Sequence, residues 1–252
     1  MGPEVERRIS LFTSALPSEG KSFTSANYSL ALAQQGYRVL LIDGDLRRPK
    51  LHKIFRFPEA MQKNNFDEDS GAVVDCLVGK TDLTSAVRSI PVGEIDIVSD
   101  NVAATGKIQT MMGGQLSVLA GGRCAPNPAE ILAGSSFGQL VAEASRLFDR
   151  VVIDSAPVLA VSDTLLMMPY VQTVCIVLQA AKTPRQVVRR AISLLAKSGI
   201  RPAGLVLNRL PRGRGVGYYY HYASPDYGAG EASYSRSYDY RSRSEHKDNG
   251  AS

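Results

Sequence analysis

The sequence predicts an α/β domain with a doubly wound, mainly parallel sheet, followed by a disordered C-terminal tail. Three observations predict it. Leu11-Phe-Thr-Ser-Ala-Leu-Pro-Ser-Glu-Gly-Lys-Ser22 links an apolar run to a helical pattern, as a phosphate-binding loop does. A strand, a crossover helix and a second strand follow one another between Arg8 and Asp43, the order of a right-handed βαβ unit. Arg38-Val-Leu-Leu-Ile-Asp43 and Arg150-Val-Val-Ile-Asp154 are apolar on both faces, as central parallel strands are, and each ends in a carboxylate.

In chain order, Arg8 to Thr13 reads as the first buried strand. Ser22 to Gln35 reads as a helix, with Phe23, Ala26, Leu30 and Ala33 on one face and Gly36 where a C-cap belongs. Arg38 to Asp43 is the second strand. Residues 57 to 72 read as a surface loop. Val73 to Leu77 and Leu83 to Ile90 are weakly helical, and Ile95 to Val98 and Leu116 to Leu119 are short strands. Asp100 to Gln115 carries no clear pattern. Asn127-Pro-Ala-Glu130 opens a helix, with Asn as N-cap, Pro in the first turn and Glu three residues on, running to about Leu147. Arg150 to Asp154 and Thr173 to Gln179 are further strands. Thr183-Pro-Arg-Gln186 has capping-box spacing, and Val187, Ala191, Leu194 and Leu195 continue it as an amphipathic helix. Ala203 to Leu207 is the last strand, ending at Asn208.

The division that follows is residues 1–210 as the folded domain and 211–252 as the tail. After Pro211, Gly, Ser, Arg and Tyr dominate and aliphatic residues almost vanish, a composition too poor in apolar area to offset the entropy of ordering. The chain has 252 residues and 44% hydrophobic content, enough for one well-filled domain. No apolar run approaches the ~18 residues of a bilayer span, and the first residues lack a signal-peptide core. The expected location is the cytoplasm, and the short run before the first strand suggests a piece of a longer protein. Cys76, Cys124 and Cys175 have no metal or redox spacing and read as reduced, small and hydrophobic. The net charge of +5 is mild and its basic residues look scattered, so nucleic acid is not an expected partner.

The chemistry gathers at the strand ends. In a phosphate-binding loop, backbone N–H groups face the phosphates, here from Ser18, Glu19, Gly20, Lys21 and Ser22. Lys21 reaches the β/γ oxygens and Ser22 offers its hydroxyl to Mg²⁺. Ala15 stands where the usual pattern has Gly, and an ordinary strand–turn–helix with a left-handed Gly20 is the alternative. Mg²⁺ takes hard oxygen ligands, usually one or two carboxylates plus waters. Asp154, after Val-Val-Ile, suits that role, and Asp43 and Asp45, two apart across Gly44, suit one metal or one incoming hydroxyl. Arg47 reads equally as a phosphate ligand, a partner of a nearby carboxylate or a surface residue.

These residues resemble a family. Leu-Leu-Ile-Asp43-Gly-Asp45-Leu-Arg47 looks like the Walker A′ motif of the bacterial tyrosine kinases, the P-loop autokinases of capsule and exopolysaccharide synthesis. Ala15 to Ser22 resembles their Walker A, Val151-Val-Ile-Asp154-Ser-Ala-Pro157 their Walker B, and Asn127-Pro-Ala-Glu-Ile-Leu132 and a tyrosine-rich tail also match. The resemblance implies a P-loop NTPase-type fold, ATP and Mg²⁺. It assigns Lys21, Asp43, Asp45 and Asp154 to catalysis and Ser22, Asp43, Asp45 and Asp154 to the metal. Phe23 and Arg47 join the nucleotide contacts, Asn208 meets the adenine, and Asp45 is the base for a tyrosine hydroxyl. It implies autophosphorylation in trans on Tyr218, Tyr219, Tyr220, Tyr222, Tyr227, Tyr234, Tyr238 and Tyr240. The implied partners are an activating membrane adaptor at the inner face of the membrane, further copies of the chain and a protein-tyrosine phosphatase. The family's ring-forming Glu-x-x-Arg-x-x-Arg is not completed: after Glu4 and Arg7, Ser10 replaces the second Arg. Two rivals remain. A ParA/MinD-type ATPase switch would carry a signature Lys where Leu16 stands, and a non-catalytic nucleotide-binding subunit would use its tail only for binding.

Overall fold

The computed structural model describes residues 7–56, 73–90, 96–99, 102–105, 114–122 and 124–210. The tail and its tyrosines, the 57–72 loop and Glu4 lie outside the described residues. β1 (Ile9–Ser14), β2 (Arg38–Asp43), β8 (Arg150–Asp154), β9 (Thr173–Gln179) and β10 (Gly204–Asn208) match the expected strands to within a residue. With β4 (Arg88–Ile90) and β7 (Gln115–Leu119) they form a seven-stranded sheet among the described residues, in the order β10-β9-β1-β8-β2-β7-β4. All neighbours are parallel except β4 on β7. The chain runs from β1 across to β2, then returns through β8 to β9 on the other side of β1, so the order reverses around β1. Ligands of open α/β sheets bind at the carboxyl ends of the strands beside such a reversal.

Alternation within the strands builds two apolar layers. Phe12, Leu41, Val152 and Val177 face helix α1 (Lys21–Gln34) through Ala26, Leu30 and Ala33. Leu11, Ile42, Ile153 and Ile176 face the opposite layer, which holds Phe137 and Leu140 of α6 (Ser136–Leu147) and Ala191 and Leu195 of α8 (Arg185–Lys197). The central strands are buried on both faces, which explains their unbroken apolar runs. α1 ends as expected: Gly36 has φ +94°, and the Gly36 and Tyr37 N–H groups donate to Ala33 and Leu32 carbonyls, a Schellman closure.

Several expectations change. The weak helix over Leu83 to Ile90 is α4 (Leu83–Ala86) followed by β4, because Arg88 to Ile90 pairs antiparallel with β7 and buries Ile90. The helix from Asn127 to Leu147 is two helices, α5 (Pro128–Ala133) and α6, broken at Gly134, whose backbone is extended. Asn127 donates to the Glu130 carboxylate at 3.1 Å. Asp163–Met167 forms a short helix, α7, unseen in the sequence. The strand read at Ile95 to Val98 is β5 (Asp96–Ser99), which pairs antiparallel with β3 (Phe55–Arg56) and with β6 (Val102–Thr105), so part of the patternless segment is a strand. β3 follows the short helix α2 (Leu51–Ile54), and α3 (Val73–Leu77) stands where expected. All three cysteines are free, but Cys124 is exposed where a hydrophobic position was expected.

Candidate active site

The loop between β1 and α1 is built by left-handed backbone and one buried carboxylate. Ser18 and Gly20 have φ +65° and +91°. Glu19 is buried: its Oε2 accepts the Leu16 N–H at 2.7 Å, and its Oε1 accepts the Thr183 hydroxyl. Thr183 in turn accepts the Gln179 N–H at 3.0 Å. Thr183 therefore ties the loop to the β9–α8 connection and does not close the capping box read from its spacing. Asn208, at the end of β10, donates to the Glu19 carbonyl at 3.1 Å. A Cβ on Gly20 would stand 1.9 Å from the Asn208 amide nitrogen, so only glycine fits beneath it.

The three carboxylates converge on Lys21. Asp43 and Asp154 are register partners at the ends of β2 and β8. Lys21 Nζ lies 3.1 Å from Asp154 Oδ1, 3.4 Å from Asp45 Oδ2 and 3.3 Å from the Ser22 hydroxyl. Burial pushes the Lys21 ammonium down, but Asp154, Asp45 and Asp43 outweigh it and hold its pKa above the ordinary value. Burial, then the charge of Asp154, pushes the Asp43 carboxyl up to about 7 against the N–H bonds from Leu51 and Lys50 and the charge of Lys21. Asp154 is also raised, by burial first, with Lys21 opposing. Asp45 differs: it is 8% exposed where Asp43 and Asp154 are 0%. It is the most solvent-exposed of the three.

The residues fit a divalent cation. Asp43 Oδ1 and Asp154 Oδ2 are buried acceptors without a hydrogen-bond partner. Such atoms are costly unless another ligand uses them. Among the described residues no group of three or more His, Cys, Asp or Glu side chains forms a metal cage alone. A Mg²⁺ site of phosphoryl transfer needs none, because phosphate oxygens, waters and a Ser hydroxyl complete it.

Arg47 and Phe23, expected among the nucleotide contacts, have protein partners. Arg47 grips Asp163 with both nitrogens, at 2.8 and 3.0 Å, so it serves a neighbouring carboxylate. Phe23 is half-buried on α1 against the Phe12 layer. The sequence reading missed Asp163, Thr164 and the partnership of Thr183. Thr164 donates to the Ala156 carbonyl at 2.6 Å, so α7 holds the exit of β8 as well as Arg47. The Ser162-Asp-Thr signature of a helix start was the available signal for α7.

The sheet order, the loop and the carboxylate pair define a P-loop nucleotide-binding α/β domain. The CobQ/CobB/MinD/ParA nucleotide-binding domain matches residues 16–218. Tyrosine-protein kinase YwqD of Bacillus subtilis is 31% identical over 211 residues, 83% of this chain and 76% of YwqD. Tyrosine-protein kinase Wzc of Salmonella typhimurium is 30% identical over 87% of this chain, which spans 27% of Wzc. The crystal structure of the chimerical protein CapA2B2 matches with a TM-score of 0.66 at 26% identity, covering 83% of this chain and 79% of that one. The chain belongs to the CobQ/CobB/MinD/ParA nucleotide-binding family and, within it, to the bacterial tyrosine kinases. It is a protein-tyrosine kinase, transferring phosphate from ATP to tyrosine.

Proposed function

We propose that this kinase phosphorylates the tyrosine-rich tail of a second copy of itself and thereby regulates capsule or exopolysaccharide assembly and export. The observation that supports it best is the convergence of Asp43, Asp45 and Asp154 on Lys21 at the carboxyl end of the sheet. In the reaction, the tyrosine oxygen attacks the γ-phosphorus, the bond to the β,γ-bridging oxygen breaks, and ADP leaves. Asp45 takes the phenolic proton, because it is the carboxylate with access to solvent. Lys21 leaves its carboxylates to bind the β/γ oxygens, and the loop N–H groups hold the remaining phosphate charge. Asp43, Asp154 and Ser22 would hold Mg²⁺, which when bound neutralises charge developing on the phosphates. Glu19 and Asn208 keep the loop in its left-handed shape.

The acceptors are Tyr218, Tyr219, Tyr220, Tyr222, Tyr227, Tyr234, Tyr238 and Tyr240. From Pro211 onward six Lys/Arg face five Asp/Glu, leaving the tail near +1. Each phosphotyrosine adds about −1.5 to −2, so four would bring it to roughly −5 to −7. An unmodified tail is accepted by a neighbour's carboxylate-lined site, and a phosphorylated one is expelled from it. No described helix is long and apolar enough to cross a membrane. A membrane adaptor supplies anchorage and activation, a reading that the likeness to the chimerical protein CapA2B2 supports, and a tyrosine phosphatase resets the tail.

The test is an anti-phosphotyrosine assay on the full chain with Mg²⁺-ATP, beside Lys21→Met and a variant with all eight tail tyrosines changed to Phe. Signal in the parent and loss in both variants is expected. Full signal in the Phe variant would refute the tail as acceptor. ATP hydrolysis without phosphotyrosine, with or without adaptor segments, would refute self-phosphorylation.

A further inference from the structure

One stretch of the folded domain is cationic although the whole chain is nearly balanced. From Thr164 to Leu210 there are seven Lys and Arg and no Asp or Glu, in a chain whose net charge is only +5. Four of the seven, Arg185, Arg189, Arg190 and Lys197, lie exposed on α8. None of the four makes an ion pair with a described residue. The apolar residues of this helix are turned inward: Ala191 and Leu195 are fully buried beneath it.

One flank of α8 is concave. A groove of about 300 Å³ runs along it, lined by Leu159, Arg190, Ser193, Leu194 and Lys197. Arg190, Ser193 and Lys197 are spaced i, i+3 and i+7, so they share one helix face. Leu159, from the segment after β8, and Leu194 supply apolar walls. Two cations and a hydroxyl above two leucines form a surface for an anion carried on a ring: the leucines pack an aromatic face, and the guanidinium, ammonium and hydroxyl donate to phosphate oxygens.

We propose that this groove on α8 is a phosphotyrosine-docking site, and that its occupant is the phosphorylated tail of a second copy of this chain. The inference rests on the reading that the tail tyrosines are phosphorylated. Charge complementarity selects the occupant. A tail bearing four phosphates carries roughly −5 to −7, complementary to the four exposed cations of α8, whereas the unmodified tail, near +1, is repelled. Modification thus moves the tail between two sites of opposite sign, away from Asp43, Asp45 and Asp154 and onto α8. An anionic lipid surface suits the face less well, because α8 offers no exposed apolar row to insert and its cations border a groove.

The experiment uses dephosphorylated full-length chain without nucleotide, so that docking is read independently of kinase activity. The probe is a synthetic peptide of residues 214–224 with Tyr218, Tyr219 and Tyr220 phosphorylated, beside its unphosphorylated form, titrated by fluorescence anisotropy at physiological salt. The phosphopeptide should bind at least tenfold tighter than the unmodified one. Arg190→Gln/Lys197→Gln should lose at least tenfold, Arg190→Lys less, and Lys53→Gln/Arg146→Gln, an equal change of exposed charge elsewhere, should lose nothing of that size. Melting curves confirm that all variants fold. Equal binding of the two peptides, equal loss in the Lys53/Arg146 control, or binding to phosphatidylserine vesicles that alone depends on Arg190 and Lys197 would each overturn the proposal. Absence of autophosphorylation would refute the kinase-tail reading, while the peptide titration would still decide whether the groove binds phosphotyrosine.

Discussion

Asp43→Asn should raise stability while abolishing activity. Asp43 is fully buried. Its Oδ2 accepts the Lys50 and Leu51 N–H groups at 2.8 and 3.0 Å, and its Oδ1 has no partner. Burial and the charge of Asp154 push its carboxyl up to about 7 from an ordinary 3.8. The folded chain therefore holds this proton more tightly than the unfolded chain. The stability it lends is complete below about pH 3.8 and is lost as pH rises through about 7. Asn has the same shape, its carbonyl accepts the same two N–H bonds, and it carries no charge. Lys21 keeps Asp154 and Asp45 at 3.1 and 3.4 Å. The gain should grow from pH 5 to 7 and level off above, at about 1–3 kcal/mol, the usual cost of a poorly satisfied buried polar group. At this chain length each kcal/mol moves Tm by roughly 2–4 °C. Melting curves of parent and variant at pH 5, 6, 7 and 8 read the gap directly. The anti-phosphotyrosine assay should show at least a hundredfold loss, about 2.7 kcal/mol of transition-state stabilisation. A variant less stable than the parent at pH 8, or a gap that does not change between pH 5 and 7, would refute this account of Asp43.

Arg47 and Asp163 should behave as one unit. Asp163's side chain is 1% exposed and Arg47's is 43%, so Arg47→Ala strands a buried carboxylate and should cost about 1–3 kcal/mol, between the values of exposed and buried pairs. In an Asp163→Asn background the same change should cost less than half as much by urea denaturation, and additivity would remove the pair as a brace. Gly20→Ala should weaken binding of a fluorescent ATP analogue at least tenfold, because a Cβ would stand 1.9 Å from Asn208 and φ is +91°. Adding Asn208→Ala should restore only part of it, since the left-handed backbone still costs about 1–2 kcal/mol. Asp45→Asn removes one of the two ion pairs on Lys21; ATP binding in EDTA should hold or tighten while phosphotyrosine formation falls, and weaker binding would show that Asp45 positions Lys21 rather than restrains it.

The parts legible in the sequence were those whose physics is local. β2 and β8 announce themselves because a parallel strand buried on both faces needs an unbroken apolar run, and their terminal carboxylates stand at the sheet edge where that run stops. Gly20, Lys21 and Ser22 are neighbours in sequence and in space. The partners that hold the site are not. Asp163 is 116 residues from Arg47 and Thr183 is 164 from Glu19, and no spacing rule links them. Thr183 also satisfied a local rule, the capping box, that the fold declined in favour of the Glu19 carboxylate. α4 and β4 are too short, at four and three residues, for either period to declare itself. The cationic face of α8 was hidden for a related reason: its charges look ordinary one by one, and only the absence of any acid from Thr164 to Leu210 sets the region apart.

Lys21 holds a cluster of like charges together. Three carboxylates and one ammonium gather in a largely buried space, an arrangement that like-charge repulsion would open if nothing opposed it. Lys21 opposes it by pairing with Asp154 and Asp45 together, and Asp43 opposes it by holding a proton up to about pH 7. The proposed mechanism requires both to be undone. The three N–H donors of Lys21 face Asp154, Asp45 and the Ser22 hydroxyl, so on the proposed mechanism binding phosphate oxygens means giving some of these up, and Asp43 cannot act as an anion while protonated. ATP alone would strip the carboxylates of their counter-ion, so a nucleotide arriving without a divalent cation meets an electrostatic cost that one arriving with it does not. On the proposed mechanism these ion pairs act as a selection device as well as a structural one. On that mechanism they make readiness for phosphoryl transfer depend on a cation that takes over from Lys21 at Asp154, beside Asp45, the most exposed of the three carboxylates.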